Sequence, residues 1–182
     1  MTLPGIRIQY DLGGRPKKKR KERRAFSSKN PLHVTLRSEH ARGKLSLLYP
    51  PHARYIRHLI PLLARKYAVR VYRFANVGNH LHLLLQAEDK KGVQAFFRVL
   101  TGLLARKITG AQKGRPFGTR FWEGLIYSRV ITWGKAYLRA CRYIDKNQRQ
   151  AGPQNRPYQI LHCLDIDPPR QGSPQVLMLP IL

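Results

Sequence analysis

Acidic side chains are scarce. Only 9 Asp and Glu stand against 35 Lys and Arg in 182 residues, a formal net charge of +26. That imbalance exceeds anything solubility requires and predicts attraction to a polyanion, most simply nucleic acid. Cysteine is nearly missing as well. Cys141 and Cys163 lack Cys-x-x-Cys spacing, which excludes a disulfide framework and suggests a reducing compartment. No apolar run approaches the ~18 residues of a membrane-spanning helix. The basic residues are spread along the chain rather than collected on one amphipathic helix, which argues against a membrane surface. No basic-then-apolar leader opens the sequence, so the expected location is cytoplasmic, in association with the nucleoid.

What is present has the size of one domain with tails. Residues 1–28 read as a basic tail, with Lys17, Lys18, Lys19 and Arg20 inside a run from Arg15 to Arg24. Such a run repels itself and is expected to stay disordered until it meets a phosphate backbone. Residues 29–150 carry the hydrophobic patterning of a folded domain, and 151–182 form a proline-rich extension.

Within the domain the patterning gives seven elements. Strands are expected at 32–37, 69–76, around 80–85 and at 125–131. Helices are expected at about 51–67, 91–108 and 132–147, with Asp89 and Thr132 as caps of the second and third. Pro61 should bend the first helix or divide it in two. In the second strand the alternation of Val69 and Val71 against Tyr72 and Phe74 is only partly clean. Strand, helix, strand, strand, helix, strand and then a helix is an α+β order. Its first six elements make the βαββαβ pattern of a ferredoxin-like sandwich, with an additional C-terminal helix. Both crossover helices then cover one sheet face and leave the other open.

The third strand organises the chemistry. Period two sends Leu81, Leu83 and Leu85 to one face and His80 and His82 to the other. The leucines must meet the helices, so the two imidazoles face the open side. Adjacent neutral imidazoles suit a divalent cation, and an oxygen donor is expected to join them. Asn147 on the last helix is a candidate donor, and Tyr143 lies one turn before it. For a protein of this charge a phosphodiester is the natural electrophile. A phenol that attacked it in line would hold the DNA covalently, with no nucleotide cofactor. Nine tyrosines occur, and composition alone does not choose among them. Tyr137 shares a side with Cys141 and Ile144 and reads as core; Tyr127 belongs to a strand.

Asn79-His80-Leu81-His82-Leu83 resembles the His-hydrophobic-His motif of the single-tyrosine (Y1) HUH transposases of the IS200-like superfamily. His33-Val34-Thr35-Leu36-Arg37 resembles that family's opening strand. Phe121-Trp122-Glu123 and Tyr143-Ile144-Asp145-Lys146-Asn147 resemble segments of the branch associated with repetitive extragenic palindromes (REP). The resemblance implies metal-dependent cleavage and strand transfer of single-stranded DNA, often at the foot of a hairpin. It implies Tyr143 as nucleophile forming a 5′-phosphotyrosine link. It implies His80, His82 and Asn147 as ligands to magnesium or manganese. Two positions depart from the family pattern: Val77-Gly78 replaces an apolar residue followed by proline, and Gln148 replaces the proline after the asparagine.

Arg37, Arg73, Arg120 and Arg129 are the expected phosphate contacts, with the N-terminal run, and Trp122 is a candidate to stack on a base. A non-catalytic binder of single-stranded or hairpin nucleic acid, and a basic structural protein, are the competing functions. A homodimer and a monomer both remain open.

Overall fold

The computed structural model describes residues 26–124 and 126–152. Expectations for residues 1–25 and 153–182, which include Lys17, Lys18, Lys19 and Arg20, lie outside the described residues.

Leu32, Val34 and Leu36 alternate with His33, Thr35 and Arg37 along β1 (Leu32–Arg37), and only the first set is buried. A single 3-10 turn, Gly43–Leu45, follows and feeds Leu47 into the core. α1 (Pro50–Lys66) is one helix and not two, with Pro61 inside it. Ile56, Leu59, Ile60 and Leu63 form its buried stripe.

β2 (Val69–Asn76) and β3 (His80–Ala87) form an antiparallel hairpin. The register shifts between Val71 and Arg73, a β-bulge that explains the imperfect alternation. Val69 and Val71 face α1 before the bulge, Phe74 faces it afterwards, and Tyr72 is turned to the opposite face. The hairpin turn depends on Gly78. Its φ is 98°, and a Cβ there would come within 3.3 Å of Leu48. The departure from the family pattern at Val77-Gly78 is therefore a change of turn chemistry that leaves the strand in place.

α2 (Lys90–Thr109) starts at Asp89, whose carboxylate accepts a hydrogen bond from the Gly92 N–H at 2.6 Å. Phe96, Phe97, Leu100, Leu104 and Ile108 are its core side. β4 (Tyr127–Val130) closes an antiparallel sheet of order β2-β3-β1-β4. With two crossover helices on one face, this is the ferredoxin-like α+β architecture.

α3 (Lys135–Gln150) packs on the other face, against β2 and β3. One expectation needs correction: Thr132 is not its cap. Trp133 stacks on Tyr72 and Tyr137 and donates its indole N–H to the Lys29 carbonyl, which holds residue 133 on the sheet. The chain turns into the helix only afterwards, at Gly134, where φ is 81°.

Two separate cores result. The larger lies under α1 and α2. The smaller joins Tyr72, Ala75, Leu84, Ile131 and Cys141 to Ile144. Gln148 adds a buried polar tie, its Oε1 accepting the Asn76 N–H at 2.9 Å. The residue that replaces the family's proline thus fastens α3 to the hairpin. Ile144 is wholly buried in the smaller core, so Ile144→Ala should cost about 2–5 kcal/mol. Urea denaturation of the purified variant measures this; a change below ~1 kcal/mol would mean that α3 docks by other means.

Candidate active site

The register places Thr35 directly opposite His82 and Arg37 opposite His80. Side chains from two neighbouring strands therefore converge on one face, and α3 lowers Tyr143 onto them. The rings of His80 and His82 lie 4.7 Å apart between centroids. Tyr143 sits edge-on to His82 at 5.4 Å and to His33 at 5.9 Å.

A cleft of about 520 Å³ opens here, lined by His80, His82, Tyr143, Arg37, Glu123 and Tyr127 among others. The sheet side of the site is buried while the tyrosine is accessible: His82 is 4% exposed and Tyr143 49%. His82 Nδ1 lies 3.2 Å from both His33 Nε2 and Thr35 Oγ1. Its other nitrogen, Nε2, is buried and has no hydrogen-bond partner among the described residues. His80 is tied through Nδ1 to Asn79 Oδ1 at 2.6 Å.

Electrostatics keep the imidazoles neutral. Burial lowers the pKa of His80, and the Arg37 charge lowers it further. Burial and the charge of Arg129 do the same to His33. His82 is pushed down to about 4, first by burial, then by His80 and His33. Neutral imidazole is the form that ligates metals.

The sign for stability follows from linkage. An unfolded histidine takes up its proton near 6.5, but the folded chain resists protonating His82 until about 4. Between those values the unfolded chain binds more protons, so stability is present above pH 6.5 and is lost as pH falls through the window. The urea midpoint of the chelated wild type should therefore drop more steeply with acid than that of His82→Asn; parallel curves would contradict this assignment.

The other expected site residues are distributed as follows. Asn147 lies one turn beyond Tyr143 and donates its amide N–H to the Tyr143 carbonyl at 2.8 Å; it does not line the cleft. Arg37 Nε pairs with Glu123 Oε1 at 3.3 Å, and Arg73 Nε with Asp145 Oδ1 at 3.7 Å. Arg120 and Arg129 are exposed. Trp122, expected to stack on a base, has its indole N–H bonded to the Thr101 carbonyl at 2.9 Å and packs on the main core. Tyr137 leans on Tyr72 and Trp133, and burial and Cys141 push its phenol well above the ordinary range.

Sequence reasoning missed three participants. His33 and Thr35 were legible as the polar side of β1, but their partner is fixed only by register. Glu123 comes from an irregular segment, where no period assigns a face.

For a divalent ion the donor set is partial. Among the described residues no group of three His, Cys, Asp or Glu is poised to hold a metal. Two neutral imidazoles that both line the cleft, one with a nitrogen that is buried and unpartnered among the described residues, do fit as two ligands of an incomplete set.

A ferredoxin-like sheet whose histidine pair is faced by a tyrosine on a terminal helix defines a domain of the HUH type. The family described as "Transposase IS200 like" matches residues 32–147, and the chain belongs to that family of transposases. Among solved structures, it is similar to a REP-associated tyrosine transposase bound to a REP hairpin. The two are 16% identical over 74% of this chain and 75% of that one, with a TM-score of 0.57. At that identity the likeness is one of fold. A Deinococcus radiodurans R1 protein assigned as a transposase is 17% identical over 70% of this chain and 98% of that one, with a TM-score of 0.44. No curated protein matches the chain. No described helix is long and apolar enough to cross a membrane.

Proposed function

We propose that this protein cleaves single-stranded DNA and transfers the strand through a covalent 5′-phosphotyrosine intermediate on Tyr143. The observation that carries the reading is the ring contact of an accessible tyrosine with His82 at the cleft they both line. The phenol oxygen forms the new bond to phosphorus and gives up its proton. The bond from phosphorus to the 3′ oxygen breaks, and that oxygen leaves as a hydroxyl. Attack by a 3′-hydroxyl reverses the sequence and rejoins a strand, so no energy source is required.

His80 and His82 would hold magnesium or manganese, and Asn147, one turn beyond the nucleophile, would add its amide oxygen by turning from the Tyr143 carbonyl toward the cleft. When bound, the ion supplies polarisation of the phosphate and stabilises the charge of the transition state. Arg37 stands at the cleft beside His80, with its Nε on Glu123 and its terminal amino groups available to a phosphate. Arg73, Arg120, Arg129 and the basic tail extend the phosphate-binding surface. The fold relative above holds a REP hairpin, and hairpin-bearing single strands are the substrate class we assign here.

The test is direct. The full chain is incubated with end-labelled hairpin-bearing single strands and Mn2+, then run on a denaturing gel. A shifted, protease-sensitive band is expected. Tight binding across a broad hairpin library with no such band would replace this reading with that of a non-catalytic binder.

A further inference from the structure

Two side chains beside His82 remain without a role: Thr35, which lines the cleft, and His33, which lies behind it on the same strand. His33 and Thr35 both reach His82 Nδ1, each at 3.2 Å, and His33 also lies edge-on to Tyr143. We infer that His33 and Thr35 are positioning residues that lock the tautomer of His82, holding its proton on Nδ1 and leaving Nε2 as a bare lone pair directed into the cleft. The inference rests on the metal-site reading above and specifies how this chain prepares the site.

The argument is one of hydrogen-bond accounting. A neutral imidazole carries one proton on one of two nitrogens. Placed on Nε2, it would be a buried donor with nothing among the described residues to accept it. Placed on Nδ1, it has two acceptors in reach, the Thr35 hydroxyl oxygen and the His33 Nε2 lone pair. The vacancy at Nε2 is then an unused acceptor, which a cation satisfies and an N–H could not.

Strand register makes the arrangement rigid. Thr35 is the direct cross-strand partner of His82, and His33 is the diagonal neighbour on the same face. Both come from β1, the central strand next to β3, so neither moves without the sheet. A partner on the non-ligating nitrogen fixes ring direction and raises basicity at the ligating one, and its loss typically weakens metal affinity about 10–100-fold.

The test reads the tautomer itself. The full chain, 15N-labelled at histidine, is studied at pH 8 in chelator by long-range 1H–15N correlation, with His82 assigned by its disappearance in His82→Asn. The wild type should show the proton on Nδ1. Thr35→Val combined with His33→Phe should move it toward Nε2 and weaken Mn2+ binding, followed by electron paramagnetic resonance, at least about tenfold. Thr35→Ser should keep both properties. Should the double variant unfold, Thr35→Val alone, with a wild-type circular dichroism spectrum, carries the comparison and should show a partial shift. A wild-type His82 protonated on Nε2, or variants that keep both the Nδ1 proton and full Mn2+ affinity, would overturn the lock. A wild type with the Nδ1 proton that binds no Mn2+ would instead sink the metal reading and leave the lock standing.

Discussion

With Tyr143→Phe the covalent protein–DNA band should vanish altogether, while Tyr137→Phe should retain it. The two tyrosines stand on the same helix less than two turns apart, and their surroundings separate them. Tyr143 is half exposed in the cleft, in ring contact with His82 and His33. Tyr137 is packed between Tyr72 and Trp133, and burial pushes its phenol away from ionisation. Phenylalanine keeps the ring and removes only the oxygen that bonds to phosphorus. DNA binding by Tyr143→Phe should therefore stay near the wild-type level, which separates loss of chemistry from loss of fold. Adduct retained in Tyr143→Phe and lost in Tyr137→Phe would assign the nucleophile to the wrong face of α3. Adduct lost in both, with binding intact, would point to the docking of the helix as the shared cause.

Helical period makes this distinction legible in the sequence. Tyr137, Cys141 and Ile144 share one side of a helix whose opposite side is polar, and a smaller core now occupies that side. The leucines of β3 likewise required a buried face, which turned His80 and His82 outward. The sequence was silent where the physics is non-local. The bulge at Tyr72 depends on Arg73 pairing with Leu84, and the blurred alternation in the sequence does not by itself locate it. The start of α3 was misplaced because Trp133 is held on the sheet by a carbonyl more than a hundred residues earlier. For Trp122 the sequence leaves base stacking and a core anchor both open, and its indole N–H on the Thr101 carbonyl of α2 comes from a contact that no local pattern shows. The second shell of His82 needed the register of β1 against β3, which alternation alone does not supply.

Binding to single-stranded DNA should weaken about 300-fold to 10⁴-fold between 50 and 200 mM salt if six to ten phosphates are neutralised. The net charge of +26 makes a contact set of that size the natural expectation. Which charges contribute can be separated by slope. Each phosphate neutralised on a single strand adds about 0.7 to the dependence of log K on log salt. The run from Arg15 to Arg24 holds 8 basic residues, so deletion of residues 1–25 should lower the slope by as much as ~5. Arg120 and Arg129 have no carboxylate partner among the described residues, and Arg129→Gln should cost close to a full step. Arg73 is half paid for by Asp145 on α3, so Arg73→Gln should change the slope less and the stability of α3 docking more. A tail deletion that leaves the slope unchanged, with binding still steep in salt, would confine the electrostatic grip to the folded domain and remove the basic run from the DNA-binding surface.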